Sequence, residues 1–228
     1  MKKTLKIVLI VFVILAVLVS VVAIWQWDNI KSVYIALNST PEKIDNLIKQ
    51  NETKTDEILE KITDVKMRPL TDDERKMLES GELSKEDAIK LINGERNEEE
   101  QSEKISEADK KASKKRIDDI IARIYLLRAE YLNALSSLEA EAKATASSIP
   151  KKDRTTSKKL ELIEKFTGRG VALEGQCDSK MERLLAELKS ELERSGLDMT
   201  VISEIKSVYA SEKQLKKSEL FSKYNRYR

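Results

Sequence analysis

Gly168, Gly170 and Gly175 come nearest to a chemical motif in this chain of 228 residues. Gly-x-Gly followed by a later glycine can cradle a phosphate on backbone N–H groups, provided a strand precedes it in a βαβ unit. Here the residues before it, Leu160, Ile163 and Phe166, repeat at helical spacing. The glycines therefore read as parts of a helix, each costing ~1 kcal/mol relative to alanine. Counted symmetrically from a turn near Lys151, Gly170 and Gly175 fall opposite Tyr131 and the stretch from Tyr125 to Leu127. The missing Cβ would let a ring lie against the backbone, with a local hinge as the competing account. Cys177 sits on an apolar stripe between Leu173 and Met181 and reads as a buried, inert thiol. An intermolecular disulfide or a reactive thiol is the sharper alternative. The carboxylates of Glu98 to Glu100, Glu139 and Glu141 come without partner residues or a cleft, and read as solvated faces.

There is no histidine. The commonest general base, the Ser–His and Cys–His nucleophile pairs and the commonest metal ligand are all missing. With one cysteine, no intramolecular disulfide can form. The expectation is a non-enzymatic protein with no catalytic, cofactor or metal residues and no small-molecule substrate.

An apolar run from Ile7 to Trp25, interrupted only by Ser20, follows Lys2, Lys3 and Lys6. As a helix it reaches roughly 28 Å, close to the ~30 Å hydrocarbon core of a bilayer. Trp25 and Trp27 stand at its far end, where indole rings favour the membrane interface. The lysines hold the N-terminus in the cytoplasm by the positive-inside rule. A plasma-membrane, single-pass signal anchor with an extracytoplasmic C-terminal region is therefore expected. The alternative is a signal peptide cut after Ala23, although the run exceeds the ~7–15 residues usual for one.

Charged residues make up 36% of the chain and aromatics 5%, with six glycines and three prolines. That balance reads as long helices. Setting aside Lys2, Lys3 and Lys6 leaves 39 basic of the 42 against 40 acidic residues, a net charge of −1. So nearly neutral a surface argues against nucleic acid as a partner.

The elements follow from caps and periodicity, and the fold class expected is all-α. Residues 1–6 form a cytoplasmic tail and 7–27 the single transmembrane helix. Residues 28–68 form a short coiled-coil stalk, restarted by Thr40 and Pro41 and ended by Pro69. Ile44, Ile48, Asn51, Thr55, Ile58, Ile62 and Val65 alternate spacings of four and three along it, which is a heptad seam. Such a narrow stripe predicts a homo-oligomer, trimer or dimer, with packing on the chain's own helices as the alternative. Residues 69–104 hold a short helix pair and a charged linker. Thr71 with Glu74 and Ser84 with Asp87 cap the two helices, and Gly81 and Gly94 stop them. Residues 105–228 read as two helices of about 40 residues joined at Pro150, an antiparallel hairpin. Gly196 ends the second arm, and a third helix returns to make a three-helix bundle near the base.

A basic tail, one span and a coiled coil are shared by many bacterial envelope proteins, including cell-division and secretion-accessory components. That likeness of arrangement carries no residue-level transfer. The expected function is a scaffold, spacer or protein-interaction element of a bacterial cell envelope, bound to membrane and to its own copies or a partner membrane protein. The alternatives are an accessory or sensory subunit of a larger membrane complex, or a secreted helical protein.

Overall fold

The computed structural model describes residues 31–63, 65, 67–94, 105–153 and 155–226, and every regular element among them is helical. In order these are α1 (residues 31–38), α2 (Pro41–Leu59), α3 (Asp72–Ser80), α4 (Lys85–Asn93), α5 (Ile105–Ser148), a 3-10 turn (Lys151–Asp153), α6 (Thr156–Ser195) and α7 (Thr200–Arg226). The apolar run, with Lys2, Lys3, Lys6, Trp25 and Trp27, lies outside the described residues. Among the described residues no helix is long and apolar enough to cross a membrane.

The helix ends are where side-chain chemistry puts them. At α3 the Thr71 hydroxyl accepts from the Glu74 N–H, and the Glu74 carboxylate accepts from the Thr71 N–H at 2.8 Å, closing the capping box. Gly81 and Gly196 end α3 and α6 at φ of 81° and 64°, a left-handed turn that costs glycine nothing. Ser84 caps α4, and Thr155 caps α6 by accepting from the Lys158 N–H at 3.2 Å.

The stalk helix is shorter than its heptad pattern. α2 ends at Leu59, whose carbonyl accepts from the N–H groups of Ile62 and Thr63. The Thr63 hydroxyl donates to Asp118 Oδ1 at 2.5 Å and accepts from the Val65 N–H at 3.1 Å. These bonds compete with helix and turn the chain away, so Ile62 and Val65 stand beyond the seam helix rather than on it.

The described residues form two compact units. One runs Leu59–Ile202 and is built on α5 and α6, with α3 and α4 packed on α5. Its core joins Ile117, Ile121, Ile124 and Leu127 of α5 to Met181, Leu184, Leu188 and Leu192 of α6, with Ala88 and Ile92 of α4 also buried. α3 is tied to α5 by Asn133, whose Nδ2 donates to the Arg75 carbonyl at 2.7 Å.

The other unit joins the described residues up to Ile58 with those from Ser203. Ile44 and Ile48 pack with Leu215, and Asn51 Nδ2 donates to the Val208 carbonyl at 3.0 Å. Position 44 near 215 and 51 near 208 make α2 and α7 antiparallel. This differs from the sequence expectation, which grouped residues 105–228 in one bundle. From Ser203 onward α7 is instead the partner of the α2 stripe, because Val208 and Leu215 match the spacing of Asn51 and Ile44.

Candidate interaction surface

The heptad stripe meets its own chain. Ile44, Ile48, Asn51 and Ile58 are buried, and Ile44, Ile48 and Asn51 contact α7. Thr55 Oγ1 donates to its own helix at the Asn51 carbonyl. A second copy could use this seam only by displacing α7.

Ion pairs mark the register of the hairpin. Arg123 meets Glu187 at 2.7 Å, Glu130 meets Lys180 at 3.5 Å and Glu141 meets Arg169 at 2.5 Å. The mean position of each pair is 155, so the hairpin folds about residue 155 rather than Lys151. Moving the fold point by four positions moves every cross-arm partner by eight, about two helical turns, and undoes the proposed glycine notch. A Cβ on Gly170 would meet only Leu138 Cδ2, at 3.9 Å, and one on Gly168 or Gly175 would meet nothing within 4 Å. No tyrosine ring rests on these glycines, and α6 runs through them unbroken. Tyr125 is buried nearer the base and Tyr131 is half-buried. Cys177 is buried and opens the buried stretch of α6.

No described residue from 130 to 176 is buried. Ala129 and Cys177, one on each arm, mark the edge of the core. Beyond them α3 still meets α5 at Asn133 and Ser137, and the rest of each arm packs on the other. On α6 this leaves Leu160 60% and Val171 57% exposed. Eleven residues separate them, three helical turns, so they share an outward side. Gly168 and Gly175 fall on that side too. At the inner edge Phe166 is flanked by Lys165 Nζ and the Arg169 guanidinium, 5.2 and 5.6 Å from its ring. From Lys143 to Lys159 the chain carries six basic residues and one acidic. The first turn of α6 has no acidic residue, although its dipole would favour one. Sequence reading missed this surface. Leu160 and Ile163 repeat at core spacing, and only the register shows that nothing covers Leu160.

A groove of about 640 Å³ is lined by Arg68, Leu83, Asp87, Lys90, Leu91 and Gly94. Its charges are satisfied by neighbours. Asp87 pairs with Lys90 at 2.8 Å and Arg68 with Glu74 at 2.7 Å. The Arg68 guanidinium and the Thr71 N–H hold the Glu74 carboxyl at about 2, well below its ordinary 4.5. No charge is left to converge on a ligand. Among the described residues no group of three His, Cys, Asp or Glu side chains could hold a metal ion. No protein-family model, curated protein or solved structure matches the chain.

Proposed function

We propose that the protein is a non-enzymatic scaffold or spacer held in a bacterial cell envelope by its N-terminal apolar run, meeting its partner through the outer half of the α5–α6 hairpin. The observation that carries this reading is the hairpin itself: it continues past its own core and exposes Leu160 and Val171 on one side. Burying a leucine or valine side chain is worth ~1.5–3 kcal/mol, and the fold leaves that gain to an encounter. Contact would be of the helix-packing kind, face to face, without a pocket.

The test is site-specific photocross-linking in cells from Leu160 and Val171, with Thr53 on α2 as control. A discrete adduct from 160 that is lost when Val171→Glu is added, and one from 171 that is lost when Leu160→Glu is added, support the reading. Adducts equal to those from Thr53 would remove the hairpin as the contact surface.

A further inference from the structure

α1 packs Ile35 toward the Ile44, Ile48 and Leu215 cluster but turns its other three large apolar residues outward. Val33 is 39% exposed, Tyr34 67% and Leu37 65%, whereas Ser32 is 0% and Ala36 8% exposed. At 100° per residue the three large side chains share an arc of about 100°, and the two small ones face the other way. This reverses the usual order of burial. The packing of Ile35 accounts for the inner side of α1 and leaves the outer side without a cover from this unit.

Chain reach says what lies beside this face. Val33 follows Trp27 by six residues, at most about 22 Å even if fully extended. If the apolar run spans a bilayer and Trp27 marks its interface, Val33 lies within about 22 Å of that interface. Tyrosine suits the site, since its ring is apolar and its hydroxyl can stay wet. Lys31 adds a cation of the kind that anionic headgroups attract. A second copy of the chain is the weaker occupant. Three side chains fall well short of the roughly 800 Å² per partner of a stable interface.

We propose that α1 lies along the extracytoplasmic bilayer interface, with Val33, Tyr34 and Leu37 set into the boundary between headgroups and acyl chains. This contact rests on the anchor reading and adds a lipid-facing surface to the folded region.

The test uses the full chain carrying Cys177→Ala, reconstituted in phosphatidylcholine vesicles with a minority of phosphatidylglycerol. Single cysteines at Tyr34→Cys, Leu37→Cys, Leu15→Cys in the apolar run and Thr53→Cys on α2 carry an environment-sensitive fluorophore. Lipids spin-labelled at shallow or deep positions quench it. The expected result is severalfold stronger quenching at 34 and 37 than at 53, greatest with shallow labels, and deep quenching at 15. Deep quenching at 15 with 34 and 37 open to aqueous iodide would overturn the interface contact and leave the anchor standing. Shielding of 34 and 37 from both iodide and spin-labelled lipid would overturn it in favour of a protein cover. No quenching at 15 would remove the anchor, and the interface contact with it.

Discussion

Replacing Asn51 tests whether the α2 stripe belongs to this chain or to a second copy. Its Nδ2 donates to the Val208 carbonyl at 3.0 Å in a buried setting. Asn51→Ala removes one buried hydrogen bond, ~1 kcal/mol, and leaves a small cavity worth about as much again. The Val208 carbonyl keeps its helical partner four residues on, so no orphaned acceptor adds to the cost. A loss of about 1–2.5 kcal/mol is expected. Asn51→Asp should cost more, because at neutral pH it sets a buried carboxylate against a carbonyl oxygen with no proton to donate. The assay is urea unfolding of the full chain in mild detergent, followed by circular dichroism at protein concentrations an order of magnitude apart. With α7 as the partner, the midpoints are independent of concentration and fall in the order wild type, Ala, Asp. A midpoint that rises with concentration, or an Asp variant as stable as wild type, would refute the assignment to α7.

Gly168→Ala and Gly175→Ala should each stabilise the protein by roughly 0.5–1 kcal/mol, since both lie in an unbroken helix with open space at the Cβ position. A lower melting temperature in either would revive a packing or hinge role. The Glu74 carboxyl, held at about 2 against an ordinary 4.5, adds stability that is present above the ordinary value and lost as pH falls through the folded one. The group is near the surface, so solvent screening holds the effect to about 1 kcal/mol. Glu74→Gln should flatten the acid limb of the stability–pH curve between about 4.5 and 2, and an unchanged limb would count against the Arg68 contact. Leu188→Ala, at a fully buried position of the hairpin base, should cost about 2–5 kcal/mol in urea unfolding. A cost below about 1 kcal/mol would mean that the base is not the core.

The local chemistry of this chain was readable from its residues, and the long-range pairing was not. Thr71, Glu74, Gly81, Ser84 and Gly196 act within four residues of themselves, so their spacing predicts their bonds. The α2 stripe was visible as well, but a stripe records only that something covers it. Whether α7 or another molecule does so depends on Val208 and Leu215, more than 150 residues away. The hairpin register turns on a 3-10 turn at Lys151–Asp153 and on Thr155 as cap, where Pro150 alone suggested an earlier fold. Four positions of error in the fold point displaced every cross-arm partner by about two helical turns and turned Gly170 and Gly175 into supposed seats for tyrosine rings.

The distribution of burial within the Leu59–Ile202 unit separates folding from contact. From Ile117 to Ala129 α5 is buried on nearly every side, because α6 covers one face while α4 and Thr63 meet others. The same helix beyond residue 130 meets α6 and, at Asn133 and Ser137, the exposed edge of α3, and has no buried residue. Substitutions of side chains other than glycine on the outward side of the arms should leave stability within about 0.5 kcal/mol. This lets a spacer be told from a docking arm. A pure spacer needs only the length of the arm, ~27 Å from residue 130 to 148, and would keep its activity with glutamate at both Leu160 and Val171. A docking arm would lose its partner with its fold intact. Leu160 with Ile163, 41% exposed and one turn away, favours the second, since adjacent apolar side chains on one exposed face make a small patch for a partner to cover, where a single exposed leucine would need no explanation.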